Sequence, residues 1–268
     1  MTTVMKACIE SAAFWAPSLP GWPVARSAFR GEGRSIDPPA RRPSPELLPA
    51  AERRRAPDTV ALALAVADDA VSGSHQPAQE LLSVFASCHG DLAITDAICT
   101  TLVEHPLLVS PTRFHNSVHN AASGYWGIAT GCRAASSAVS AYEQSFAAGL
   151  FEALTLCVCE GRPVLLVGCD VAACGAIAST TVSQGLLAVA MVLSPERSAH
   201  TLATLDAGLL HGSSSPIPLR SEAALALAKN AMADALPLYE ALARETTAPL
   251  ALPLSPTLSL RIRLAGFD

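Results

Sequence analysis

Residues 110–126 read Ser-Pro-Thr-Arg-Phe-His-Asn-Ser-Val-His-Asn-Ala-Ala-Ser-Gly-Tyr-Trp, and together with the segments that follow, up to Asp170, they decide the fold. The small residues from Ala134 to Ser140 predict a strand, and the apolar stretch from Ser145 to Val158 predicts a helix buried on nearly every face. A polar turn then precedes a second apolar strand, Val164 to Val167. This order of strand, helix and strand predicts an α/β fold whose mixed, mostly parallel sheet surrounds a buried central helix.

Composition limits the classes of protein to consider. Half of the 268 residues are hydrophobic and only 15% are charged, which predicts a folded globular chain. The apolar runs are shorter than the roughly 20 residues that span a bilayer, so we expect no transmembrane segment and a cytoplasmic location. The net charge of -5 argues against nucleic-acid binding. No convincing linker divides the chain, and we expect a single domain over residues 1–268.

The segments before Ser110 and after Asp170 also alternate between predicted helices and strands. The stretch 17–49 is rich in Pro, Gly and Arg and predicts a long irregular excursion. Further helices are predicted over Asp58–Val71, Asp91–Val103, Asn120–Ile128 and a long segment from about Pro218 to Ala243. Further strands are predicted over residues 2–14, Leu81–Ala86, Leu186–Leu193, Thr201–Leu210 and Leu258–Leu264.

The stretch from Ser110 to Asp170, with Val84 to Asp91 before it, resembles the central part of the N-terminal half of β-ketoacyl synthases. The chain is similar to the shortened ketosynthase-like proteins of aryl-polyene and xanthomonadin-type pigment clusters, which resemble chain length factors. The resemblance implies a thiolase-like fold whose second half is truncated or missing. It also implies a role in polyketide or fatty-acid-like biosynthesis.

In that family a nucleophilic Cys stands where the small-residue strand meets the buried helix, because the helix N-terminus lowers the thiol pKa. Laying the pattern on this sequence without gaps places Glu143 at the nucleophile position, with Gln144 beside it. Neither side chain forms the thioester of condensation, although Glu143 could also cap the helix. The resemblance therefore implies a non-catalytic partner that pairs with an active β-ketoacyl synthase and shapes its acyl tunnel.

The resemblance also assigns an interface. The strand from Ala134 to Ser140 would pair with its counterpart across a two-fold or pseudo-two-fold axis, in a heterodimer or, for the isolated chain, a homodimer. The segment before it would approach the partner's tunnel, where Arg113 and Phe114 would limit chain length. The residues assigned to tunnel and interface are Thr112, Arg113, Phe114, Ser117, Val118, His119, Ala134, Ser136 and Val139.

Two further functions stay open at this stage. One is a minimal acyltransferase or condensing enzyme that uses Cys132, with His211 or His119 as base. The other is a stand-alone acyl-binding homodimer. Arg53, Arg54 and Arg55 could dock an acyl carrier protein, and a solvated charge run is an equally good interpretation.

The sequence predicts neither a metal nor a cofactor. His115 and His119 have a four-residue spacing that suits zinc on a helix, but no Glu lies between them and no third ligand is evident. The eight cysteines lie mostly in apolar segments and form no paired CxxC arrangement, so we expect buried, reduced thiols.

Overall fold

A computed structural model describes residues 4–33, 36–212 and 217–267. Within these ranges the strands are β1 (Met5–Ala16), β2 (Leu19–Pro20), β3 (Leu82–Ala86), β4 (Ser136–Val139), β5 (Val164–Asp170), β6 (Leu187–Ser194), β7 (Ala203–His211), β8 (Leu250–Ser255) and β9 (Leu258–Ala265). The α-helices are α1 (Trp22–Arg30), α2 (Ala50–Arg55), α3 (Asp58–Ser74), α4 (Leu92–Glu104), α5 (Pro111–Asn116), α6 (Ala121–Thr130), α7 (Ser145–Glu160), α8 (Glu222–Leu225) and α9 (Leu236–Ala243). Short 3₁₀ turns cover Pro106–Leu108, Tyr142–Gln144, Ala176–Ser179 and Ala233–Ala235.

The described strands form one mixed sheet in the order β4-β3-β5-β6-β1-β7-β9-β8, with β2 paired to β1. The mixed sheet was predicted, but the prediction that it is mostly parallel is wrong. Only the β3–β4 and β3–β5 pairs are parallel. The chain reaches these strands through helical crossovers, whereas the 171–186 loop carries no α-helix and β6 therefore returns antiparallel to β5.

Two apolar layers cover the two faces of the sheet. On one face α3 packs against β1, β5 and β6, and Trp126 of α6 joins the same layer. On the other face α7 packs against β3 and β5, with α1 and α9 beside it. Helix α7 is the predicted buried central helix, since Phe146, Leu150 and Leu154 recur at four-residue intervals and are completely buried.

A glycine sets how closely α7 approaches the sheet. A Cβ on Gly149 would lie 2.9 Å from the Cβ of Ala86 on β3 and 3.3 Å from a methyl carbon of Leu166 on β5. A side chain here would force the helix away from the parallel strands. The small residue therefore fixes the position of the N-terminus of α7 relative to the ends of β3 and β5.

The structure corrects three expectations about secondary structure. The 17–49 excursion contains α1, which buries Phe29 and ends at Gly31 in a left-handed conformation. The long helix expected up to Ala243 is broken between α8 and α9, because Asn230 donates to the carbonyl of Gln184 and accepts from the amide of Met232. Strand β8 was not predicted, and it pairs with β9 through a tight hairpin.

Candidate functional site at the mouth of the buried helix

The turn between β4 and α7 is strained at Tyr142. This residue has a φ of 53°, which is uncommon for a bulky side chain. The Ser145 hydroxyl holds the turn, because it donates to the Tyr142 carbonyl at 2.7 Å and accepts from the Ala141 amide at 3.0 Å. Strained strand-to-helix turns of this kind present nucleophiles in several enzyme folds. The left-handed residue lies one position before Glu143, whose assignment to the nucleophile position stays a prediction.

None of the three residues of this turn carries a nucleophile activated by a base. The Tyr142 side chain is half exposed and its hydroxyl donates to the Thr180 carbonyl at 3.0 Å, away from the helix. Glu143 is exposed and Gln144 is partly buried. The turn therefore has the geometry of a nucleophile site without a thiol or a hydroxyl–histidine pair.

The acidic group at the N-terminus of α7 is Asp234, which sequence reasoning missed. Its Oδ2 accepts from the amide of Ala147 at 3.0 Å, and the amide of Phe146 also donates to it. Its Oδ1 is buried and has no hydrogen-bond partner among the described residues. A lone acid in the apolar run from Ala231 to Leu236 was the available signal, but nothing in the sequence connects it with a helix 87 residues away.

Burial raises the pKa of the Asp234 carboxyl to about 8, although the amides of Ala147 and Phe146 oppose the change and nearby Asp170 adds to it. The group is therefore mostly protonated at neutral pH. A neutral carboxylic acid rather than a carboxylate or a thiol occupies the place where the helix amides favour negative charge. The Asp234 side chain therefore occupies the N-terminus of α7, where it accepts from the Ala147 amide.

A second buried acid lies beside it at the end of β5. Asp170 is completely buried and accepts from the Ser87 hydroxyl at 2.7 Å and the Cys88 amide at 2.9 Å, with His89 Nδ1 3.8 Å away. Burial raises the pKa of the Asp170 carboxyl, and the hydrogen bonds from Cys88 and Ser87 oppose that shift. Burial first and the Asp170 charge second raise the pKa of the Cys88 thiol to about 11. Cys88 is thus held as a thiol and is a poor nucleophile.

A cavity of about 480 Å³ lies at the mouth of α7. Glu143 and Gln144 line it from the turn, Cys88 from the end of β3, and Asp234 from the segment before α9. The structure therefore brings the predicted pair Glu143 and Gln144 next to two groups, Cys88 and Asp234, that were not predicted as site residues.

The predicted interface residues lie at one edge of the sheet. Strand β4 is an edge strand that pairs only with β3 in the described part of the chain, and its residues alternate between exposed and partly buried. Ser136 accepts from the Ser83 hydroxyl, while Ala134 and Val139 pack against the core. Thr112, Arg113, Phe114 and Val118 are exposed, and Ser117 and His119 are partly buried. The tunnel role of these residues stays a prediction.

Cys132, the alternative nucleophile, lies apart from the α7 mouth. It precedes β4, its Sγ contacts the Leu81 carbonyl at 3.5 Å, and it borders a separate cavity of about 350 Å³ with no histidine among the described lining residues. His119, one of its candidate bases, contacts the Ser87 carbonyl through Nε2 at 2.9 Å. His211, the other, is exposed at the end of β7. Within the described residues, neither His119 nor His211 is placed as a base for Cys132.

The basic run lies at the end of α2. Arg54 and Arg55 are exposed and Arg53 is partly buried, with its carbonyl accepting from Arg42 at 3.2 Å. Among the described residues no group of three or more His, Cys, Asp or Glu side chains is placed to hold a metal ion. No helix in these ranges has both the length and the apolar character needed to span a membrane.

Comparison with known proteins identifies the family. The family model "Beta-ketoacyl synthase, N-terminal domain" matches residues 31–250, which is most of the chain. The chain therefore belongs to the β-ketoacyl synthase N-terminal domain family. A search of curated proteins finds no match.

Solved structures show the same thiolase-like ketosynthase fold. A chain of the ketosynthase (ApeO) in complex with its chain length factor (ApeC) from Xenorhabdus doucetiae has a TM-score of 0.73 and 22% identity, over 96% of this chain and 99% of that chain. A chain of the AntDE:AntF complex, a type II polyketide synthase carrier protein with its ketosynthase, has a TM-score of 0.75 and 10% identity, over 98% and 99%. The PfaC keto synthase–chain length factor structure has a TM-score of 0.61 and 12% identity, over 99% of this chain but 43% of that chain. At these identities the likeness shows the fold alone.

Proposed function

We propose that the chain is a non-catalytic, ketosynthase-like subunit that pairs with an active β-ketoacyl synthase and shapes its acyl tunnel, as a chain length factor does. The observation that carries this proposal is the strained turn at the mouth of α7, which presents Tyr142, Glu143 and Gln144 instead of a reactive thiol. Without a nucleophile there, the acyl chain cannot be held as a thioester during condensation.

The occupied N-terminus of α7 supports the same proposal. A helix N-terminus activates a thiol by stabilising its thiolate, and this effect needs free amide groups and a site without competing acids. Here Asp234 accepts from the Ala147 amide, and Asp170 lies close enough to raise the pKa of both Asp234 and Cys88. The Cys88 thiol at this mouth is therefore kept protonated at neutral pH.

The free edge of β4 supports pairing with another subunit. An edge strand of small residues offers unpaired backbone groups to a second sheet. Ile128 on α6 is 78% exposed and borders the same cavity as Ala134 and Ser136 of this edge. The excursion between β3 and β4 carries further exposed apolar side chains, Leu107 and Phe114 among them, at 97% and 63%. Such exposure is typical of a surface that another protein covers.

The nature of the partner is inferred from the structures that share the fold. One of them is a ketosynthase in complex with its chain length factor, and another is a keto synthase–chain length factor protein. We infer that this chain fills the chain-length-factor place beside a β-ketoacyl synthase in aryl-polyene or related polyketide synthesis. Arg113 and Phe114 would then line the end of the partner's tunnel, and Arg53 to Arg55 would contact the acyl carrier protein.

Co-expression with a candidate ketosynthase tests the pairing. We expect a stable one-to-one complex by size-exclusion chromatography with light scattering. Ile128→Asp should disrupt it, because a charge would be buried without a partner. Leu225→Asp is the matched control, since Leu225 is an exposed apolar residue on α8. If no complex forms with the wild-type chain and the partner's product lengths are the same with and without it, the proposal is wrong.

A minimal condensing enzyme based on Cys132 is the second candidate. Its support is the partly buried thiol of Cys132 beside a cavity. The absence of a histidine from the described lining of that cavity disfavours it. Acylation of Cys132 by an acyl thioester would support this second candidate instead of the non-catalytic subunit.

A further inference from the structure

The cavity at the mouth of α7 is built from elements that are distant in the sequence. Its walls come from the turn at Glu143 and Gln144, the loop at Thr181 and Val182, the segment from Ile217 to Pro237, and β8. Its volume of about 480 Å³ falls within the usual range for small-molecule sites. None of the lining residues lies on β4, so the cavity is distinct from the β4 edge that the proposed function assigns to a partner.

Most of the lining is apolar. Ile217, Leu219, Ala231 and Pro237 supply aliphatic surface from the 217–237 segment, and Leu252 supplies it from β8. Removing an apolar molecule from water into such a space is favourable at about 25 cal/mol per Å² of buried area. The body of a suitable ligand is therefore a short aliphatic group.

The charges around the cavity balance. Glu143 and Lys229 border it with opposite charges, and both are exposed. Asp234 also borders it, and the raised pKa of about 8 keeps this carboxyl mostly uncharged at neutral pH. A charged ligand would gain little from the exposed Lys229 or Glu143 and would lose its hydration in a largely apolar space, which is costly. The balance of charges therefore favours a ligand without net charge.

Besides the unpartnered Oδ1 of Asp234, the available uncharged polar group is the side chain of Gln144. It is partly buried, it borders the cavity, and its amide has no hydrogen bond in the part of the chain that the structure describes. A primary amide offers one acceptor and two donors, so it pairs best with another group that both donates and accepts. An amide head on the ligand satisfies both requirements.

We propose that this cavity is a non-covalent binding site for a small neutral molecule with an aliphatic body and an amide head, held by Gln144 at the mouth of α7. Because no residue of β4 lines the cavity, the site can be tested in the isolated chain, without a ketosynthase. Its test and the test of the proposed function can therefore succeed or fail separately.

Three eight-carbon probes with one body and different heads test the site in the isolated chain at pH 7. They are octanamide, octanoate and octylammonium, each titrated by calorimetry. We expect saturable one-to-one binding of octanamide, at least tenfold tighter than that of either charged probe. Absence of saturable octanamide binding, or equal affinity for all three probes, would overturn the proposal.

A pair of variants places the binding in the cavity. Ala228 and Ala226 are exposed alanines of the same turn after α8, and only Ala228 borders the cavity. Ala228→Trp should weaken octanamide binding at least tenfold, and Ala226→Trp should leave it unchanged. Equal effects of the two substitutions would contradict the site.

A third variant tests the role of Gln144 and keeps the proposal testable if Ala228→Trp fails to fold. Gln144→Leu should weaken octanamide at least fivefold and remove the preference for the amide head, while thermal melting shows that the fold is kept. Unchanged octanamide affinity in a folded Gln144→Leu variant would count against the proposal.

Discussion

Asp234→Asn removes an ionisable group from the mouth of α7 while keeping its shape. In the wild-type chain the Ala147 amide donates to Asp234 Oδ2 at 3.0 Å, and the side-chain oxygen of Asn can accept the same hydrogen bond. The nitrogen takes the place of Oδ1, which has no partner among the described residues. The substitution therefore tests the protonation of this acid with little change in packing.

The sign of the effect follows from the raised pKa. The Asp234 carboxyl titrates near pH 8 in the folded chain, whereas an unfolded Asp titrates near about 3.9. Between these values the unfolded state has lost the proton and the folded state keeps it, so stability falls as pH rises. One pKa unit corresponds to about 1.4 kcal/mol, which gives a loss of up to about 3 kcal/mol between pH 5 and pH 7. Solvent contact at the edge of this partly buried residue makes that figure an upper limit.

Urea unfolding at pH 5, 6 and 7 measures the difference between wild type and Asp234→Asn. We expect the variant to gain stability relative to wild type as pH rises, by about 1 to 3 kcal/mol over this range. Acids with raised pKa that do not interact with Asp234, such as Asp68 and Asp69, contribute equally to both proteins and cancel. Glu104→Gln, at an exposed position, controls for removing a negative charge. A difference that is constant with pH, or that changes in the opposite direction, would refute the assignment of a buried neutral acid.

Three further predictions address the turn, the helix packing and the proposed tunnel. Tyr142→Gly should melt at a higher temperature than Tyr142→Ala, because both variants lose the tyrosine hydroxyl but only glycine adopts a positive φ freely. Equal melting temperatures of the two variants would contradict the strained turn. Gly149→Val should destabilise the chain by at least about 2 kcal/mol in urea unfolding, because the new Cβ would lie 2.9 Å from the Cβ of Ala86. Gly124→Val is the control and should cost less stability, because a Cβ there meets nothing within 4 Å. Equal losses of stability in the two variants would refute the close packing of α7. In a complex with an active ketosynthase, Phe114→Ala should lengthen the products and Phe114→Trp should shorten them, as measured by mass spectrometry, and unchanged product lengths would exclude Phe114 from the tunnel end.

The sequence predicted those parts of the fold in which local pattern and burial agree. The apolar runs of α3 and β5 are buried almost throughout, whereas α7 is buried at half of its residues, and the bounds of all three elements lie close to those expected. The helix α1 was missed because it lies within a stretch rich in Pro, Gly and Arg, although its buried residues Ala25, Ala28 and Phe29 follow a helical spacing. The ion pairs of Arg26 and Arg30 with Glu245, near the other end of the chain, could not be predicted from this local pattern.

The candidate site was only half predictable, for a similar reason. Glu143 and Gln144 could be assigned because the strand and the helix around them are continuous in sequence. Asp234 and Cys88 reach the same cavity from segments far away in the chain. The direction of the sheet was misjudged as well, because the reversal between β5 and β6 occurs in a loop that has no helical pattern.

Intact-mass spectrometry of the purified chain after incubation with an acyl thioester tests most directly the proposal that the chain is non-catalytic. We expect the mass to stay unchanged at neutral pH, because no reactive thiol stands at the N-terminus of α7 and the pKa of Cys88 is raised to about 11. A stoichiometric acyl adduct, mapped to Cys88, Cys132 or any residue of the turn before α7, would contradict a non-catalytic subunit.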